Sequence, residues 1–283
     1  MSIDNKDRLI FALDVPEVDR AKELVSELGD SVSFYKIGME LMMTGEYFSL
    51  LDWLVRKEKK VFVDLKLFDV PATVSKSVKR LSQRGAYFTT IHGNQSMMEA
   101  AAAEKGGLKI LAVTALTSLD QGDITDMGFD CDVQDLVVSR ARRAFTAGCD
   151  GIVASGMELE HIRGEVDDKL LIVTPGIRPV ENRPTDDQKR VVTVEQAFQR
   201  GANYIVVGRP IQNAASPREA GATIAALRPI NPRAVISVRT VGAITVRTAL
   251  KIKIPNPMFS TRSLPNRSAS RPLTIRKPAY TTM

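Results

Sequence analysis

The sequence predicts an α/β fold, a (β/α)8 TIM barrel over residues 1–228, followed by a basic C-terminal extension over residues 229–283 that is expected to be disordered. Three observations carry this reading. Short β-branched runs recur between residues 9 and 211 with amphipathic stretches between them, the pattern of βα units around a parallel sheet. Eight such runs fit into about 200 residues, near the compact end of barrel size, whereas an open doubly wound sheet normally uses fewer strands. The charge is also divided: all 33 acidic residues fall within 1–228, against 29 Lys and Arg, while 229–283 carries ten basic residues, seven of the 14 prolines and no acid.

The eight strands are expected at 9–15, 33–39, 60–67, 87–93, 109–117, 151–157, 170–177 and 204–211. Between the first two, Ala21, Leu24, Val25 and Leu28 repeat at i, i+3, i+4, i+7 and give a helix with one apolar stripe. Val133, Leu136, Val137 and Arg140 begin another at the same spacing. Gly85, Gly148 and Gly201 stand just before later strands, where helices commonly stop.

Composition narrows the function classes. With 44% hydrophobic and 25% charged residues, the chain has ordinary globular composition. Two cysteines, Cys131 and Cys149, make no disulfide framework, and with His92 and His161 they do not supply a structural zinc set. No apolar signal core opens the sequence and no run approaches 18 apolar residues, so a cytoplasmic protein without membrane contact is expected. Neither a G-x-G-x-x-G after the first strand nor a G-x-x-x-x-G-K-[ST] occurs.

A barrel places chemistry at the C-terminal ends of its strands. Asp14 ends the first apolar run, Lys36 interrupts the second, and the third contains Asp64 and Lys66 with Asp69 just beyond. Side chains alternate across a strand, so Asp64 and Lys66 share the face opposite Val63, Leu65 and Leu67. With the apolar set against the helices, the two charges project into the barrel mouth. Taken alone, D-x-K can be an ion pair that merely fixes a strand. Four charges at three adjacent strand ends read instead as a preorganised site of alternating sign, in which a lysine can serve as general acid. A second constellation follows the last two strands: Thr174-Pro-Gly-Ile-Arg178 and Val207-Gly208-Arg209. These loops are the usual barrel phosphate cradle, with Gly176 and Gly208 allowing close backbone approach and Arg178 and Arg209 offering planar forks. Between them, 179–190 is long enough for a lid.

Asp64-Leu-Lys-Leu-Phe-Asp69-Val70-Pro-Ala-Thr73 resembles the D-x-K-x-x-D-I-P-x-T signature of the orotidine 5'-monophosphate decarboxylase family, bacterial type, with Val70 in place of isoleucine. Ala12-Leu-Asp14, Lys36-Ile-Gly38, Leu116-Thr117-Ser118, Asp187-Gln188-x-Arg190 and Val207-Gly208-Arg209 are similar to the family's further motifs, and the likeness spans roughly 8–228. The resemblance implies cofactor-free decarboxylation of orotidine 5'-monophosphate to UMP and CO2 in pyrimidine biosynthesis, by a homodimer with shared active sites. It makes Lys66 the proton donor to pyrimidine C6 and sets Asp64 beside the departing carboxylate, with Lys36 orienting both and contacting ribose. Asp69 and Thr73 would reach the neighbour's site, Asp14 would bind a ribose hydroxyl, and Thr117 the base. Arg178, Gln188, Gly208 and Arg209 would bind phosphate or the closed lid.

Two alternatives stay open at this stage. D-x-K-x-x-D is shared with magnesium-dependent sugar-phosphate decarboxylases and aldolases of the same suprafamily, which add an acidic metal ligand. The basic tail could bind nucleic acid through its cations, although a functionless appendage is the preferred reading and no nucleic-acid partner is expected.

Overall fold

The computed structural model describes residues 3–178 and 191–227 of the 283-residue chain. Eight parallel strands, β1 (Leu9–Ala12), β2 (Phe34–Gly38), β3 (Lys60–Leu67), β4 (Phe88–His92), β5 (Lys109–Val113), β6 (Gly151–Val153), β7 (Leu171–Thr174) and β8 (Tyr204–Val207), close into a barrel in chain order. The predicted fold class is the observed one. Pairing of Leu9 with Ile205 and of Phe11 with Val207 completes the cylinder.

Helices cross between the strands, α1 (Val18–Leu28), α2 (Met39–Met42), α3 (Tyr47–Arg56), α4 (Pro71–Gln83), α5 (Gln95–Glu104), α6 (Gln121–Asp126), α7 (Val133–Thr146), α8 (Leu159–Glu165) and α9 (Val194–Gln199), and α10 (Arg209–Gln212) and α11 (Pro217–Ala226) follow β8. The α1 stripe is buried as expected, Ala21, Leu24, Val25 and Leu28 all packing into the layer between sheet and helices. On α7 the stripe continues through Ala141 and Ala144, and Arg140 leaves it to donate to the Thr114 carbonyl. Gly85, Gly148 and Gly201 have φ of 78°, 82° and 104°, a left-handed turn that reverses the chain after α4, α7 and α9 at little steric cost.

Strand alternation divides the apolar residues into two cores. Leu9 and Phe11 of β1 face the helices, while Ile10 and Ala12 face the barrel axis. Phe34, Phe62, Phe88 and Tyr204 fill the axis. Phe88 lies 5.3 Å from Phe34, and it meets Phe62 and Tyr204 edge-on at 5.9 and 5.2 Å, arrangements that suit the aromatic quadrupole. This packing closes the barrel one inward step below Lys36, Asp64 and Thr90, since each follows its phenylalanine by two residues.

Most strands stop short of the expected ends. Leu13, Val15, Ala115 and Ala154 are buried in the layer between sheet and helices yet lie beyond the strand ends, although Leu13 and Ala154 still donate a backbone N–H to the Lys36 and Val173 carbonyls of the neighbouring strands. Their apolar character signals burial, which outlasts the regular ladder by one to three residues. Gly151 opens β6 where neighbouring chains crowd it: a Cβ would fall 2.5 Å from the Leu171 carbonyl oxygen and 2.8 Å from Leu111 Cδ2. Gly151→Ala is therefore expected to lower stability by about 1–3 kcal/mol through overpacking. Urea unfolding measures this, and an unchanged midpoint would mean that the strands yield freely there.

Candidate active site

Three neighbouring strands bring the charges together at the C-terminal mouth. Register pairs Ala12 with Lys36 and Gly38 with Asp64, so the inward residues of β1, β2 and β3 step around one rim. Lys36 Nζ lies 2.9 Å from Asp14 Oδ1 and 3.6 Å from Asp64 Oδ2, and Lys66 Nζ lies 3.1 Å from Asp64 Oδ1. The order Asp14, Lys36, Asp64, Lys66 thus alternates in sign.

Burial makes these pairs consequential. The side chains of Lys36 and Asp64 are 12% and 13% exposed, against 39% for Lys66 and 52% for Asp14. Burial alone would raise the Asp64 pKa, but Lys36 and Lys66, with hydrogen bonds from Lys66 and Thr90, outweigh it and hold the carboxyl below its ordinary value. For Lys36, burial pulls downward, and Asp64 and Asp14 outweigh it, leaving the ammonium raised. Both groups are ionised near neutral pH.

Lys66 departs from regular strand geometry. Val63 pairs with Thr89 and Leu67 with Ile91, so residues 64–66 of β3 stand opposite Thr90 alone. This bulge puts Lys66 at φ 49°, a left-handed conformation costing roughly 1–3 kcal/mol for a non-glycine residue. Its backbone N–H donates to Thr90 Oγ1 at 2.9 Å, and Thr90 Oγ1 donates to Asp64 Oδ1 at 2.9 Å. Thr89 Oγ1 donates to the Val63 carbonyl at 3.1 Å.

The charges line a cavity of about 560 Å³. Asp14, Lys36, Asp64 and Lys66 border it on one side, and Thr117, Arg178, Gly208 and Arg209 also line it, with Val113, Val153 and Pro175 giving an apolar stretch of wall. Eight of the eleven expected site residues meet there. Burial, then the proximity of Arg209, pushes the Arg178 pKa below its usual range. Two expected residues do not line the cavity. Asp69 is exposed, its carboxylate accepting from the Val70 N–H at 2.6 Å, and Thr73 is exposed on the first turn of α4. Phe68 and Val70 on either side of Asp69 are 65% and 63% exposed. Gln188 lies outside the described residues, as does the extension from 229 onward.

Sequence reading missed Thr90, which looks like an ordinary strand former, and also Glu40 and Gln212 on the cavity wall, where Ser118 of the Leu116-Thr117-Ser118 motif stands too. His92 packs its ring 4.9 Å from Phe68, and burial, then Arg140 and Lys66, lower its pKa, so it is neutral at physiological pH. Among the described residues no three His, Cys, Asp or Glu side chains group as metal ligands, and no helix is long and apolar enough to cross a membrane.

Removing the shared carboxylate leaves two ammonium groups facing each other. Asp64→Asn is expected to destabilise the fold by about 2–4 kcal/mol at neutral pH, less than for a fully buried pair because Lys66 keeps contact with water. The folded carboxyl titrates below its unfolded value, so its contribution is present above about pH 4 and is lost as pH falls through the folded pKa. Urea unfolding near pH 7 and near pH 3 should show the gap between wild type and variant narrowing in acid; a constant gap would contradict the ionic origin.

Residues 7–224 match the family described as Orotidine 5'-phosphate decarboxylase / HUMPS family. The orotidine 5'-phosphate decarboxylase of Methylococcus capsulatus is 68% identical over 214 residues, covering 76% of this chain and 88% of its own length. That of Stenotrophomonas maltophilia is 54% identical over 221 residues, 77% of this chain and 91% of its own. The crystal structure of orotidine 5'-phosphate decarboxylase from Lactobacillus acidophilus aligns with a TM-score of 0.69 at 32% identity, over 77% of this chain and 97% of that one. With an eight-stranded barrel, an alternating row of charges at its mouth and this degree of likeness along most of its length, the chain belongs to the orotidine 5'-phosphate decarboxylase / HUMPS family.

Proposed function

We propose that this chain decarboxylates orotidine 5'-monophosphate to UMP and CO2, the closing step of cytoplasmic pyrimidine nucleotide synthesis, without a cofactor. The observation that carries the reading is the row Asp14, Lys36, Asp64, Lys66 on one side of a cavity that Arg178, Gly208 and Arg209 also line. Such a cavity suits a nucleoside monophosphate whose pyrimidine meets the lysines and whose phosphate meets the arginines.

In this mechanism the C6–carboxylate bond breaks, its electron pair stays on C6, and CO2 leaves as the Lys66 ammonium gives C6 a proton. The neutral amine then regains a proton from water. Asp64 stands beside the substrate carboxylate, and crowding of like charge is relieved as that carboxylate becomes neutral CO2. The same effect can be described as complementarity to the transition state, where the anion on C6 faces an ammonium group. Lys36 keeps Asp64 ionised and, with Asp14, addresses the ribose hydroxyls; Thr117 addresses the base. Phosphate binding at Arg178, Gly208, Arg209 and Gln188, away from C6, supplies binding energy that holds the base in place.

Asp69 and Thr73 serve the partner's site in a homodimer on this reading. Its support is their exposure outside this chain's own cavity and the exposed apolar Phe68 and Val70 that flank Asp69, the kind of surface that association covers. The activity is tested by loss of orotidine monophosphate absorbance with purified protein in EDTA. Turnover supports the reading; turnover only of a sugar phosphate, and only with added magnesium, would overturn it.

Lys66→Ala should lower kcat by on the order of 10²–10⁴-fold or more, the scale of a positioned proton donor, while UMP binding measured by calorimetry persists. Loss of binding with kcat retained would contradict the donor role. Mixing inactive Lys66→Ala with inactive Asp69→Ala subunits should restore part of the activity, because a hybrid dimer rebuilds one complete site; no recovery under conditions of proven subunit exchange would count against shared sites.

A further inference from the structure

We propose that Thr90 is a positioning residue for the decarboxylation, its hydroxyl group holding both the Asp64 carboxylate and the left-handed backbone of Lys66 in register. The inference rests on the decarboxylase reading above and adds a residue that neither charge nor cavity exposure reveals. Thr90 is fully buried on the inward face of β4, directly above Phe88 in the strand alternation. Its one hydroxyl is used in both directions: the proton goes to Asp64 Oδ1 at 2.9 Å, and the oxygen accepts the Lys66 N–H at 2.9 Å.

The direction of these bonds matters. An ionised carboxylate only accepts and a backbone N–H only donates, so a hydroxyl, able to do both, links the two without leaving either group unsatisfied. Asp64 Oδ1 also receives Lys66 Nζ at 3.1 Å. Thr90, the Lys66 backbone and the Lys66 ammonium therefore form a closed circuit through one carboxylate oxygen. In the ladder, Thr90 is the single β4 residue opposite the bulge of 64–66, the place where Lys66 N–H has lost a regular strand partner. A β-branched side chain restricts χ1, so the hydroxyl is presented in a fixed direction. Thr89 accompanies it on the outer face, its hydroxyl on the Val63 carbonyl, so consecutive threonines secure both sides of the distortion. Asp64 and Lys66 are the two groups that the reaction sets against the substrate carboxylate and C6, and their relative placement is what Thr90 fixes.

The test compares Thr90→Val, which keeps the shape and loses the hydroxyl, with Thr90→Ser, which keeps the hydroxyl and loses the methyl. Wild-type turnover of orotidine monophosphate is measured first; its absence would sink the decarboxylase reading itself, independently of Thr90. With wild type active, Thr90→Val should lose about 10- to 100-fold in kcat, the range for a misplaced reacting group, with KM and UMP affinity changed by less than about 3-fold. Thr90→Ser should stay within about 3-fold of wild type. The acid limb of kcat should move to higher pH in Thr90→Val alone, because Asp64 has lost a donor that favours its ionised form. If Thr90→Val melts below the assay temperature, Thr90→Ala, which opens space instead of leaving a methyl against two polar groups, carries the same comparison. Equal kcat in all folded variants, or equal impairment of Thr90→Ser and Thr90→Val with no change of pH profile, overturns the proposal and leaves Thr90 as packing.

Discussion

The carboxylate of Asp64, shared between two ammonium groups and a buried hydroxyl, is the interaction on which the mouth of this barrel depends. A carboxylate removed from water tends to neutralise itself by taking a proton, and burial pushes Asp64 in that direction. Lys36 and Lys66 reverse the tendency, and Asp14 in turn keeps Lys36 charged. Asp64 and Lys36, the two buried members, each keep their charge against the cost of burial through their neighbours. The arrangement is therefore rigid in charge as well as in position, which is what stabilising an anion on carbon requires: the field must exist before the bond breaks, so that nothing has to reorganise at that moment.

The scaffold supplies this by stacking layers along one axis. Phe34, Phe62 and Phe88 close the cylinder, and the next inward positions, Lys36, Asp64 and Thr90, stand on that apolar base. Charges on such a base are dry beneath and open above, toward the cavity. Arginines from the far end of the chain line the same cavity because closing the barrel sets β8 beside β1. Residues 14 and 209, distant in sequence, thereby become parts of one pocket.

Much of this was legible in the sequence, for reasons that particular residues make plain. Asp64 could be placed inward because it alternates with the apolar Val63 and Leu65, and the ladder with β2 keeps that period through Asp64. The bulge at Lys66 could not, since Leu65-Lys66-Leu67 alternates as a regular strand would and carries no glycine to mark a left-handed residue. Thr90 was hidden for a related reason: a threonine in a strand is favoured by its branched Cβ whatever its hydroxyl does. Strand ends were overextended wherever Leu13, Ala115 or Ala154 stay buried past the regular ladder. Asp69 and Thr73 were named only through family resemblance, and nothing in their local pattern distinguishes them from a solvated turn.

The most direct measurement of the central claim is a crystal structure with UMP bound. Uracil C6 is expected within about 3.5 Å of Lys66 Nζ, with Asp64 on the same side, Lys66 still left-handed, and the phosphate between Arg178 and Arg209. A nucleotide seated elsewhere, or a Lys66 that relaxes to regular strand geometry and turns its ammonium away from C6, would contradict it.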